Sequence, residues 1–255
     1  MTGYAGTGKT WADSPSTSTP VMAADLTTIE AGIASAWSSG NRIDNLSEFN
    51  GVYGSSFTTF DQEFDAAAGT TSPPSGWSWA NQGTSTYLEQ LSAGAISPQT
   101  GSGTNYRMLV RSLSGANSTW VATTKLLTTG QIGGSYQLTG LLLREASSGK
   151  FVVMHQQNAS SVEIAYYSSS TVDASHPFGA QGFQGLGSTF YAQIRKNSGT
   201  SFDFLVSGNG VTWSTVLAAY NITGLLSFTP DQIGFGVNQI NGASAQVACD
   251  WFRMR

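Results

Sequence analysis

The sequence predicts an all-β fold, two antiparallel sheets stacked as a sandwich, preceded by a short α-helical N-terminal arm. Three observations predict it. Charged residues make up only 10% of the 255 positions, against about 25% in an average soluble domain. The 30 glycines, with serine and threonine, fill the gap. These are weak helix formers, and with 7 Trp, 9 Tyr and 13 Phe scattered among them they suit many short strands joined by turns. Finally, apolar residues alternate in the manner of strands through residues 56–255, whereas residues 20–37 repeat them every three or four positions, as a helix does. The chain accordingly divides into an arm, residues 1–55, and a sandwich, residues 56–255.

The arm opens on an irregular lead rich in Gly, Ser, Thr and Pro, residues 1–18. Thr19 can accept first-turn N–H bonds, and Pro20 suits the first helical position, where no donor is needed. Met22, Leu26, Ile29, Ile33 and Trp37 then form an apolar stripe with Asp25, Thr28 and Glu30 off it, and Ser38-Ser39-Gly40 ends the pattern. Ile43, Leu46 and Phe49 can add a short turn of helix before Gly51 and Gly54. A helix of about 18 residues is marginal alone in water. The stripe therefore needs a partner, either the β domain or copies of itself, and its five large residues are the candidate oligomerisation or attachment surface. Two to three heptads are too few to define a coiled coil.

In the sandwich, Phe190-Tyr-Ala-Gln-Ile-Arg195 alternates cleanly, Ser198-Gly199 turns into Phe202-Asp-Phe-Leu-Val206, and Gly208-Asn209-Gly210 turns into Val211-Thr-Trp213. Asn-Gly between apolar runs is a strong hairpin signal. Comparable runs are Tyr106–Leu113, Tyr136–Arg144, Phe151–Gln156, Val162–Tyr167, Ile233–Val237 and Ala245–Phe252. No helical segments lie between them to make parallel βαβ units, so two antiparallel sheets are expected.

Charge narrows the partners. A net charge of −4 with 11 Lys and Arg spread thinly gives no basic patch for nucleic acid or an anionic membrane, and no apolar run approaches the ~18 residues of a spanning helix. The start lacks the basic and apolar regions of a secretory signal, and the lone Cys249 excludes an intramolecular disulfide framework, so folding in a cytoplasm is expected. Cys249 itself reads as a buried small hydrophobe. Gly3-Tyr-Ala-Gly-Thr-Gly8-Lys9-Thr10 matches the phosphate-loop pattern letter for letter. That loop works between a buried strand and a helix. Two residues before Gly3 allow no strand, so the match is read as coincidental.

Several stretches carry a family likeness. Phe60-Asp-Gln-Glu-Phe-Asp65 followed by Gly76-Trp-Ser-Trp-Ala-Asn81, then Leu141-Leu-Leu-Arg-Glu145 with Gly149-Lys-Phe151, then Tyr191-Ala-Gln-Ile-Arg195, Ser207-Gly-Asn-Gly-Val-Thr-Trp213 and Asp250-Trp-Phe-Arg253 occur in order. Together they resemble the concanavalin A-like (laminin-G-like) jelly-roll sandwich of lectins, glucanases and phage structural proteins. Trp11-Ala-Asp13, Pro20 and Ala24-Asp-Leu-Thr-Thr-Ile-Glu-Ala-Gly-Ile33 resemble the N-terminal segment of phage tail, fibre and appendage proteins, with Thr27 where that family has Asn. The resemblance implies a bacteriophage virion component, a minor tail, fibre or head-decoration protein without enzymatic activity. Its implied partners are its own copies as a homotrimer, other virion proteins and a host-surface glycan.

Candidate chemistry follows. Asp61, Glu63 and Asp65 would share one face of a strand. Retaining glycoside hydrolysis wants two carboxyls ~5–5.5 Å apart, but the resembling glucanases read Glu-x-Asp-x-x-Glu, and this chain departs from that order. A structural role is expected for the trio, with a Ca²⁺-like cation the weaker alternative, since every candidate ligand is an oxygen, and the carboxylates of a glycan hydrolase the weakest; no other cofactor is expected. His155 and His176 lack neighbours at metal-ligand spacing, and His155 continues the alternation of Phe151 and Val153. Trp77, Trp79, Trp120, Tyr166, Tyr167 and Trp213 offer flat faces for sugar rings but equally suit a core. Trp77, Trp79, Tyr166 and Tyr167 are the candidate glycan contacts. Adjacent strand residues face opposite ways, so one of Tyr166 and Tyr167 is expected to leave the core.

Overall fold

The structure is a computed structural model describing residues 58–90, 93–96, 105–129, 137–158, 161–183, 186–239 and 246–255. The chain divides into two compact units, Met1–Gly51 and Val52–Arg255. The expected helical arm, with Met22, Leu26, Ile29, Ile33 and Trp37, and the Gly3–Thr10 loop lie outside the described residues.

The second unit is all-β with two antiparallel sheets. Its first strands are β1 (Trp77–Ala80), β2 (Tyr87–Gln90), β3 (Ala93–Ile96), β4 (Tyr106–Ser112), β5 (Trp120–Thr129), β6 (Gln137–Arg144) and β7 (Phe151–Asn158). Then come β8 (Ser161–Ser169), β9 (Val172–Gly182), β10 (Thr189–Ser198), β11 (Ser201–Ser207), β12 (Ser214–Asn221), β13 (Gln232–Gln239) and β14 (Gln246–Met254). A single helical turn, α1 (Thr223–Leu226), precedes β13 and stops where Ser227 adopts φ 47°. One sheet runs β1-β4-β13-β6-β7-β8-β9 and the other β12-β11-β10-β5-β14-β3-β2.

The main core lies between the sheets. Leu109, Leu141, Leu143, Val152, Met154, Ile164 and Tyr166 meet Leu126, Phe190, Ile194, Phe204 and Phe252. The alternate residues of the first sheet, including Tyr106, Met108, Val110, Leu142, Phe151, Val153, Ala165 and Tyr167, form a second buried cluster on its opposite face. Runs such as Leu141-Leu-Leu143 and Phe151-Val-Val-Met154 are therefore continuous rather than alternating, as strands buried on both faces require. This corrects one expectation. Tyr166 and Tyr167 do face opposite ways, yet both are buried, at 0% and 1% exposure, because each face has its own apolar layer.

Two further expectations are corrected by local hydrogen bonding. Residues 60–65 do not form an opening strand; Gln62 makes only an isolated bridge to Phe252, and Phe64 turns to φ 53°, which breaks the alternation. Val211–Trp213 does not enter a strand, because the N–H groups of Val211 and Thr212 donate to the Asn209 side chain instead of a neighbouring strand; β12 starts at Ser214.

Candidate functional site

The residues singled out for chemistry scatter into structural roles. Asp61 accepts bonds from the Met254 N–H and the Arg255 guanidinium, Glu63 pairs with Arg253, and Asp65 is exposed. Asp61 and Glu63 thus tie the segment before β1 to β14. Among the described residues, no group of three or more His, Cys, Asp or Glu is placed to hold a metal ion. Trp77 packs edge-on against Phe64, Phe235 and Phe252 at 5.3–5.6 Å, Tyr166 meets Phe228, and Tyr167 stacks on Phe151 at 4.7 Å. These rings are core, and only Trp79 of the four glycan candidates keeps a partly exposed face, as does Trp213 elsewhere. Cys249 is buried beside the Thr124 hydroxyl, and burial pushes its thiol up.

The two histidines, unconnected in the sequence, meet across one carboxylate. His155 Nε2 lies 3.1 Å from Glu163 Oε2, and its Nδ1 lies 3.1 Å from the Tyr106 hydroxyl. His176 Nδ1 lies 2.5 Å from Glu163 Oε1, and its Nε2 meets Asp173. Burial pushes the His155 pKa below its ordinary value, against the pull of Glu163. Burial alone would lower His176 too, but its bonds to Asp173 and Glu163 outweigh it and raise the pKa. Burial would raise Glu163, whereas bonds and charge from the two histidines hold it below the usual carboxylate range. Neutral His155, donating from Nε2 and accepting at Nδ1, charged His176 and ionised Glu163 satisfy every contact. With both nitrogens of each ring engaged, the cluster is a structural chain across β4, β7, β8 and β9. A second missed carboxyl, Glu89, is 1% exposed and bonded to the Tyr87 hydroxyl, and burial raises its pKa.

An open site exists at the β11–β12 connection. A cleft of about 250 Å³ is lined by apolar Phe183, Leu186 and Val206 and by polar Ser207, Asn209 and Thr212, with Gly208 and Ser214 completing it. Side chains build its wall. Ser207 Oγ accepts the N–H groups of Asn209 (3.2 Å) and Gly210 (2.9 Å) and donates to Asn209 Oδ1 at 3.0 Å. Asn209 Oδ1 also accepts the N–H groups of Val211 and Thr212, each at 2.9 Å. Gly210 turns at φ 73° and lies against Tyr191, where a Cβ would come within 2.9 Å of the ring. The open cleft leaves room for a small polar ring with one apolar face. The sequence marks this segment as a turn but carries no sign that it walls a cleft.

No family model matches the chain, and no curated protein matches it. Solved structures do. A xylan β-1,4-xylosidase from Bacillus halodurans aligns with a TM-score of 0.57 and 15% identity, over 80% of this chain and 40% of that one. A GH43 protein from Bacillus licheniformis aligns at 0.52 and 15%, over 76% of this chain and 39% of that one. A protein of unknown function from Shewanella oneidensis aligns at 0.52 and 11%, over 94% of this chain and 95% of its own. What they share is the fold. The chain spans about two fifths of the length of the two Bacillus proteins. These neighbours nevertheless correct the expectation of a chain without enzymatic activity. That expectation came from the likeness to phage structural proteins, and a fold shared with a xylan β-1,4-xylosidase and a GH43 protein leaves it without support.

Proposed function

We propose that the sandwich recognises carbohydrate, taking a sugar unit into the cleft between Phe183 and Asn209. The observation that carries this reading is the cleft's mixed lining, since a sugar ring pairs an apolar C–H face with hydroxyls. Phe183, Leu186 and Val206 supply the apolar contact, and Asn209, Thr212 and Ser214 the polar ones. Fold likeness to a xylosidase and a GH43 protein supports the same class of ligand. Binding to a glycan array by the full chain tests it. Phe183→Ala and Thr212→Ala are each expected to weaken binding about tenfold, the scale of one contact of about 1–1.5 kcal/mol. Binding unaffected by either substitution overturns this placement of the site.

The sandwich is proposed to be displayed on a phage particle, as a minor tail, fibre or head-decoration protein, by an arm that trimerises or docks through Met22, Leu26, Ile29, Ile33 and Trp37. The support is the likeness of the segment from Trp11 to Ile33 to phage attachment arms. Mass spectrometry of purified particles tests it, and a protein that is produced but never packaged overturns it. Comparing the solution mass of the full chain with that of a chain starting at Ser55 tests the trimer, which predicts a threefold difference in subunit number. A second reading, cleavage of the bound glycan, is favoured by the same fold likeness. Release of reducing sugar from xylan or bacterial polysaccharide by the full chain establishes it.

A further inference from the structure

We infer that the cleft beside Asn209 selects an uncharged sugar unit, one that offers an acceptor oxygen to the Asn209 amide nitrogen; this rests on the carbohydrate-binding reading above. The argument is an accounting of donors and acceptors. Asn209 Oδ1 receives three donors, the Ser207 hydroxyl at 3.0 Å and the N–H groups of Val211 and Thr212 at 2.9 Å each. Rotating the amide by half a turn would set its NH₂ against two backbone N–H groups, so its orientation is determined by the turn. The carbonyl oxygen is used up, and what Asn209 has left for the cleft is Nδ2, a donor of two hydrogens. Ser207 Oγ is saturated in the same way, accepting two N–H groups and donating once. Among the lining side chains, Asn209 Nδ2 is therefore a donor whose role is set before any ligand arrives, while the Thr212 and Ser214 hydroxyls can donate or accept.

Charge is excluded by the rest of the lining. Among the described residues that line the cleft there is no Asp, Glu, Lys, Arg or His. A carboxylate or phosphate entering it would lose water with no cation to replace it, and an ammonium would meet no carboxylate. The apolar side from Phe183, Leu186 and Val206 adds nothing for an ion but accepts a C–H face or a methyl group. A neutral hexose hydroxyl and an N-acetyl carbonyl both satisfy the Nδ2 donor, so the shared chemistry is a neutral ring bearing an acceptor oxygen.

The test titrates the full chain with glucose, N-acetylglucosamine and glucuronate at pH 7, following amide shifts or heat. Glucose or N-acetylglucosamine is expected to bind at least tenfold more tightly than glucuronate, which has the glucose ring with a carboxylate on it. Asn209→Asp preserves the acceptor that the turn needs and replaces the donor by an anionic oxygen, so it is expected to weaken neutral-sugar binding tenfold or more while the melting temperature stays within a few degrees. Glucuronate binding as well as glucose, or undiminished binding by a folded Asn209→Asp variant, overturns the selectivity. Failure of the unaltered chain to bind any of the three sugars or any arrayed glycan overturns the carbohydrate-binding reading itself. If Asn209→Asp does not fold, the comparison of glucose with glucuronate on the unaltered chain decides.

Discussion

Glu63 pairs with Arg253, whose side chain is 2% exposed, and the pair joins the start of the described chain to β14. Glu63→Gln keeps the shape but gives the guanidinium a neutral acceptor in place of a carboxylate. A stability loss of about 1–3 kcal/mol is expected in urea unfolding, and a loss under about 0.5 kcal/mol would show the pair to be idle. Gly210→Ala is expected to cost about 1–2 kcal/mol, because a Cβ meets the Tyr191 ring on a backbone turned to φ 73°; denaturant unfolding reads it. At this scale the sequence was half legible. Asn209-Gly210 announces a turn, but Val-Thr-Trp alternates identically in a strand and in an exposed loop. What decides is the capture of two backbone N–H groups by Asn209 Oδ1, a local arrangement that periodicity does not encode.

Among the elements, β10 and β11 were legible as a hairpin, and β4, β6, β7, β8, β13 and β14 as apolar runs, because burial on one or both faces writes itself into composition. The threonine-rich β5 and the Gly- and Pro-bearing β9 were not. β9 is an edge strand with repeated register shifts, where Pro177 is tolerated and apolar alternation is not demanded. The histidine chain was illegible for a related reason. His155 lies directly opposite Glu163, and a slip of one residue in that hairpin would have sent the partner to the other face. The chain makes β9 sensitive to pH. His176 has a folded pKa above its ordinary 6.5, so its contribution is complete below pH 6.5 and is lost as pH rises through the folded value. His155, held below 6.5, and Glu163, held below 4.5, act the other way, each contributing above its ordinary value and losing that contribution as pH falls through the folded one. Amide exchange in β9, corrected for its intrinsic base catalysis, is expected to accelerate as pH rises above 6.5. In His176→Gln that acceleration should disappear; persistence would mean that another group holds the edge.

For the molecule as a whole, Phe64, Trp77, Phe235 and Phe252 interlock at 5.3–5.6 Å from the two ends of the sandwich sequence. Trp77→Ala is expected to cost about 3–5 kcal/mol and to lower thermal stability of the whole sandwich rather than of β1 alone. A transition that splits in two, with β1 melting first, would show that this knot does not couple the sheets. The fold class was legible at this scale from composition and turn spacing, but the strand order was not. Neither β4 nor β13 carries any mark that the two will pair, since such pairings depend on which apolar faces remain unburied once the hairpins have formed.

One placement has a consequence for self-association. β14 inserts between β5 and β3, so any state in which residues 246–254 are detached splits the second sheet into two fragments. The bare backbone edges of β5 and β3 are then templates for a strand from another molecule.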